Sequence, residues 1–213
     1  MTQLPSKCLL LVLLTVSFIT GGEKCAMAIE EAPYTVIEQN GDFELRQYAP
    51  HIVAETMVEG TFDQVGSEGF RRLAGYINGE NRTKQSIAMT APVSQETQSE
   101  KIAMTAPVGQ EKSGDRWRIT FVMPSKYALD TLPEPIDSRI VLNQKPGRLM
   151  AAVRYSGTWS RKGYEENKER LLAWIEEQGF KQTGDPVWAR YDPPFMPWFM
   201  RRNEVLIPVD RQK

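Results

Sequence analysis

The side chains best suited to ligating a metal or attacking a carbon are scarce in this sequence: His51 is the only histidine, and Cys8 and Cys25 are the only cysteines. One imidazole cannot build a multi-histidine zinc or di-iron site, and His51 alone would have to serve any nucleophile, histidine and acid triad. The sequence has no Gly-rich phosphate loop, no HExxH pattern and no DxDxDG calcium loop. Glu165-Glu166 and Glu176-Glu177 fall near the two ends of one predicted helix, where they read as solvated surface rather than as a general acid/base pair. With 26 Lys+Arg against 27 Asp+Glu, the chain lacks the basic excess that holds a phosphate backbone, which argues against nucleic acid as a partner.

The cysteines are further discounted by where they stand. Lys7, an apolar run from Cys8 to Ile19 and the closing Ala26-Met27-Ala28 have the layout of a secretory signal with its cleavage site. The apolar run is shorter than the ~20 residues of a spanning anchor. The expectation is a signal peptide over residues 1–28, a single domain over 29–213, and a periplasmic or secreted product. Both cysteines would leave with the leader. Glu23-Lys24 before Cys25 argue against acylation there, and Asn81-Arg82-Thr83 is a glycosylation sequon that matters only in a eukaryotic secretory pathway.

The elements that must position any site follow from periodicity. Tyr34 to Glu38 and Phe43 to Tyr48 predict a hairpin across Asn40-Gly41, and Ile52 to Val58 a third strand. Thr61-Phe62-Asp63-Gln64 fits a capping box. Phe62, Val65, Phe70, Leu73, Ala74 and Ile77 then recur at helical spacing up to Asn78-Gly79. Trp117 to Met123 alternates as a strand stopped by Pro124. The second half predicts strands at about 139 to 143 and 149 to 155, a helix from about Ser160 to Gln178 closed by Gly179, and strands at 187 to 191 and 204 to 209. Gly60-Thr61-Phe62 is echoed by Gly157-Thr158-Trp159 and Leu73 to Ile77 by Leu171 to Ile175, an offset of about 97 residues that suits a pseudo-twofold duplication of a β-β-α-β-β unit. A second repeat is shorter. Ile87 to Val93 recurs as Ile102 to Val108, each copy alternating as a half-buried strand in which Ile102, Met104, Ala106 and Val108 would share a face.

The Ile-x-Met-Thr-x-Pro-Val motif, the Arg46-Gln47-Tyr48 triplet, and the tail Tyr191-Asp192-Pro193-Pro194 leading to Arg201-Arg202-Asn203-Glu204-Val205 together resemble the SOUL haem-binding family. The similarity runs from about Tyr34 to Val209, and the tandem Met-Thr-Ala-Pro-Val motifs are similar to those of bacterial members. It implies an α+β fold, a twisted antiparallel β-sheet or barrel with two flanking helices in pseudo-twofold halves, and binding of haem or another tetrapyrrole. One departure matters. Where an axial histidine has been proposed in an animal member, this sequence has Gln47, and His51 lies on the order of 10 Å further along the chain. His51 reads better as a strand-end residue than as a metal ligand.

A tetrapyrrole needs apolar walls and cations for its propionates. The resemblance therefore points to Phe70, Leu73, Ala74 and Ile77 on the first helix, Met89 or Met104 on the repeated motif, and the uncharged loop Pro193 to Met200 with Phe195, Met196 and Trp198. Arg201 and Arg202 would meet the carboxylates. The structural alternatives are core packing for the helix stripe and surface ion pairs for the arginines. Other readings are a module for a different apolar small molecule, a peripheral membrane contact through residues 195–200, and, by fold analogy with small-molecule-sensing domains, a hydrolase using Tyr155, Tyr191 and Glu204. The binding reading expects a monomer and no enzymatic activity.

Overall fold

In the computed structural model, residues 29–83 and 99–211 are described; the leader and the first motif copy, with Met89, lie outside them. Ten antiparallel strands form one twisted sheet: β1 (Tyr34–Asn40), β2 (Phe43–Tyr48), β3 (His51–Val58), β4 (Val108–Ser113), β5 (Arg116–Val122), β6 (Ile140–Lys145), β7 (Arg148–Tyr155), β8 (Phe180–Gln182), β9 (Val187–Arg190) and β10 (Asn203–Arg211). Helix α1 (Phe62–Ile77) follows β3, and α2 (Arg161–Glu177) follows β7. The spatial order is β6-β3-β5-β4-β9-β10-β7-β2-β1, with β8 paired to the end of β10. The sheet is open at β6 and β1, so it is a twisted sheet and not a closed barrel.

The two halves repeat one another in register. Leu45 on β2 stands opposite Ala151 on β7, and Leu142 on β6 stands opposite Ala54 on β3. Tyr48 faces Arg148 just as Lys145 faces His51. Each half therefore pairs its first strand with the second strand of the other half, and each second strand leads into a helix through a glycine at positive φ, Gly60 at 136° and Gly157 at 135°. The β-β-α-β-β unit is present twice, with β1 and β8 as additions.

Alternation sorts the side chains onto two faces. Ala54, Val58, Ile119 and Phe121 pack under α1 with Val65, Leu73, Tyr76 and Ile77. Leu45, Ala151, Val153, Val205 and Ile207 pack under α2 with Leu171, Trp174 and Ile175. The opposite face is covered by no described helix; there Tyr48, Val122, Met150, Ala152, Ala189 and Leu206 form a third cluster with Ala32.

Three local expectations change. Asn40 is the last residue of β1, so Gly41 and Asp42 make the turn, with Gly41 at φ 59° and Asp42 at negative φ, the order of a type II′ hairpin. Thr61 does not cap α1 with its side chain; its hydroxyl donates to Gln64 Oε1 at 3.0 Å. The second motif copy is not one alternating strand: Ile102 and Ala106 are buried, Met104 is half exposed, Thr105–Ala106 form a short bridge parallel to Glu30–Glu31, and Val108 opens β4.

Candidate functional site

The motif residues converge. On β10, Glu204 is fully buried, and each of its oxygens takes two donors: Arg46 Nη2 (3.0 Å) and Arg202 Nε (3.0 Å) at Oε1, and Arg46 Nη1 (2.6 Å) and the Tyr191 hydroxyl (2.7 Å) at Oε2. Arg46 also bonds Glu44, and Arg202 bonds Glu31 and stacks 3.7 Å over the Tyr191 ring. The Arg202 amide donates to Asp192. Three segments far apart in sequence are thus tied together on the face away from the helices.

This geometry limits the chemistry of Glu204. Burial raises its pKa, but the hydrogen bond and charge of Arg46, with Arg202 and Tyr191, outweigh that and hold it below the ordinary value. Tyr191 is pushed well above its ordinary value, chiefly by burial and then by the Glu204 charge. A carboxylate saturated by two guanidiniums and a phenol is a brace, with no lone pair directed at a substrate. Tyr155, the third member of the hydrolase reading, packs on the helix side of the sheet and does not join the pair.

The helix-side residues separate into two sets. Leu73 and Ile77 lie in the core beneath α1. Phe70 and Ala74 are one turn apart on another stripe, which they share with Gly66. Phe70 is 38% exposed and meets Phe121 edge-on at 5.3 Å. At the Gly66 end of this stripe lies Arg190 on β9; a Cβ at Gly66 would stand 2.9 Å from Arg190 Nη2 and 2.9 Å from Gln110 Oε1, so the glycine admits the guanidinium against the helix. Phe121 pairs with Val108, and Val108 with Arg190, so Phe121, against which Phe70 packs, stands about two strand spacings, ~10 Å, from Arg190.

Arg190 sits between two indoles, its guanidinium carbon 4.8 Å from the Trp188 centroid and 5.5 Å from that of Trp159. Among the described residues its one polar side-chain contact is with Gln110 Oε1 at 3.5 Å, and its Nε, like the Trp159 indole N–H, is buried there without a partner. Burial pulls its pKa down to about 10, which leaves it charged at neutral pH. Arg201 covers Trp159 at 4.6 Å and donates to the carbonyls of Met196 (2.8 Å) and Pro194 (2.6 Å), bracing the loop. That loop carries Phe195 at 85%, Trp198 at 58%, Phe199 at 60% and Met200 at 61% exposure, with Met196 half-buried.

Of the expected site residues, Phe70 and Ala74 continue the Gly66 stripe of α1 that starts beside Arg190, and the loop is tied through Arg201 to Trp159, over which Arg190 also lies. Met104 is 48% exposed on the segment entering β4. Arg202 is on the other face, committed to Glu31 and Glu204. A helix-side cation that meets no acid among the described residues is Arg190, missed in the sequence because it ends an ordinary Val-Trp-Ala-Arg strand and no motif singles it out. His51 opens β3 on the face away from the helices, its Nδ1 2.9 Å from the Ala49 carbonyl.

Against known proteins, the chain is 27% identical over 184 residues to mouse heme-binding protein 2, covering 82% of this chain and 85% of that protein. It is 26% identical to heme-binding protein 1 of Xenopus laevis, over 76% and 81%. Two solved structures share the fold: the EcmrR C-terminal domain, with TM-score 0.56 at 12% identity over 84% of this chain and 99% of that one, and a hydrolase from Listeria innocua, with TM-score 0.52 at 14% identity over 82% and 94%. The family model described as SOUL heme-binding protein matches residues 29–208, and this chain therefore belongs to the SOUL heme-binding family.

Proposed function

We infer that the protein is a non-enzymatic, exported carrier of haem or a related tetrapyrrole, held on the helix side of the sheet. The observation that carries this reading is Arg190, a cation that meets no acid among the described residues and lies over Trp159, together with the exposed apolar side chain of Phe70 and those of the loop braced on the same indole (Phe195, Trp198, Phe199 and Met200). The residues fit such a ring by shape and charge: the apolar side chains receive the macrocycle, and Arg190 receives a propionate. His51, on the opposite face, does not fit as an iron ligand to a ring held there. The relatives named for haem binding support the ligand class. The clamped state of Glu204 supports a binding role over hydrolysis, and the leader-like sequence supports export, which the N-terminus of the product recovered outside the cytoplasm would report.

Hemin titration of the protein tests the reading. Saturable quenching of tryptophan fluorescence with a shifted Soret band is expected, weakened by Trp198→Ala with Phe199→Ala and unchanged in His51→Ala. Absence of saturation overturns it. The same exposed loop favours one second reading, contact with a membrane surface. Co-sedimentation with liposomes that is lost in the loop variant, without hemin binding, would establish that reading instead.

A further inference from the structure

The face away from the helices holds a cleft that the tetrapyrrole reading does not use. Its floor is apolar, made by Val53, Val122, Met150, Val187, Ala189 and Leu206 from five neighbouring or facing strands, and it encloses about 140 Å³. One water takes roughly 10–15 Å³ of such space, so the cleft admits a body of about ten non-hydrogen atoms, several times smaller than a tetrapyrrole.

The charges at its rim are nearly balanced among themselves. Lys145 Nζ bonds Glu55 Oε2 at 2.7 Å, and Asn143 donates to Glu55 Oε1 at 2.6 Å. Arg118 Nη1 bonds Glu111 Oε2 at 2.9 Å, and Arg118 Nε lies 3.9 Å from Glu55, buried and without a hydrogen bond. Two cations and two acids thus form a ladder along one wall. Arg148 lines the same cleft, is exposed, and has no acid partner among the described residues. One positive charge is left over above an apolar floor. A neutral hydrocarbon would leave that charge unmatched, and an amine would be repelled by it.

We propose that this cleft binds a monocarboxylate with a short apolar body, a medium-chain fatty acid, whose carboxylate pairs with Arg148 while its chain lies on the Val53, Val122 and Leu206 floor. Octanoate has the right size and a single charge. The site is independent of the helix-side surface, because the sheet separates the two.

Calorimetric titration of the full chain with octanoate tests the proposal, with octanol and octylamine as controls. Saturable one-to-one binding is expected for octanoate, weaker by about tenfold in octanol, where the charge-assisted bond is lost, and absent for octylamine. Arg148→Ala, at an exposed position, should weaken octanoate by about fivefold to tenfold while leaving hemin titration unchanged. Val187→Phe, which fills the floor, should abolish octanoate binding in a protein whose melting curve remains cooperative. The proposal is overturned by absence of saturable heat, by equal binding of octanol, by indifference to both substitutions, or by loss of octanoate binding in Phe199→Ala.

Discussion

The guanidinium carbon of Arg190 lies 4.8 Å from the centroid of the Trp188 ring, and no carboxylate meets it among the described residues. A half-buried cation stabilised by π-faces and one long contact to Gln110 contributes little to folding and is costly to desolvate. Arg190→Leu should therefore leave the urea midpoint unchanged or raise it. The same substitution should weaken hemin binding by about tenfold to a hundredfold, since a charge-assisted bond to a propionate is worth roughly 1.5–3 kcal/mol. Unfolding and hemin titrations on one variant separate the two effects. A large loss of stability with unchanged hemin affinity would make Arg190 structural.

The opposite expectation holds for Arg46 and Glu204. Both are buried, and removing one partner strands the other charge, so Glu204→Gln and Arg46→Met should each destabilise by about 3–5 kcal/mol. Acid titration gives a second signature. Because the folded-state pKa of Glu204 is held below its unfolded value, its contribution is present above that unfolded value, about 4.3, and is lost as pH falls through the folded value. Glu204→Gln should therefore show a shallower loss of stability on acidification than the parent protein, measured by urea unfolding at a series of pH values.

The contrast between these two arginines shows what the sequence makes legible. Arg46, Tyr191, Arg202 and Glu204 stand in recognisable motifs, and the structure joins them in one brace, which is why the motifs report the fold so well. The helices and most strands are readable because their apolar periods match the faces they bury, as at Leu73, Ile77, Leu171 and Ile175. Phe70 shares the helical spacing but is left half-exposed beside Phe121, since it stands at the edge of the α1 stripe whose middle Leu73 and Tyr76 bury. Arg190 cannot be found from spacing: its role depends on Trp159 and Gly66, brought to it by the packing of both helices. β4 is hidden by its own residues, Gly109, Gln110 and Glu111, which do not alternate in hydrophobicity even though β5 and β9 hold them on both sides.

The matching glycines ahead of the two helices give a test of the repeat. Gly60 and Gly157 hold φ at 136° and 135°, a region that side chains other than glycine rarely adopt. A Cβ at Gly157 would meet nothing within 4 Å, and one at Gly60 would be 3.4 Å from Val65. Backbone strain should thus dominate both substitutions. Gly60→Ala and Gly157→Ala should each cost about 1–2 kcal/mol in urea unfolding, with similar values in the two halves. A cost confined to one of them would show that the two strand-to-helix turns are not equivalent in energy.

His51 offers a probe of the cleft that needs no ligand. As the only histidine it gives a single imidazole signal in an NMR titration. Burial lowers its pKa below 6.5; the Ala49 carbonyl opposes that, and the charges of Arg148 and Lys145 add to it. The Tyr48 ring lies 6.2 Å away, and Glu30 and Glu31 share a second hollow with His51. The midpoint should fall below 6.5, and Arg148→Ala and Lys145→Ala should each raise it. The sign for stability follows from the lowered folded value: folding is favoured fully above the unfolded pKa of about 6.5 and weakens as pH falls below it, because the unfolded chain then binds the proton more readily. His51→Gln should remove that part of the acid sensitivity. A midpoint at or above 6.5 that Arg148→Ala does not move would show that the Arg148 charge does not reach the wall His51 shares with it, and would weaken the case for Arg148 as the cation of the cleft.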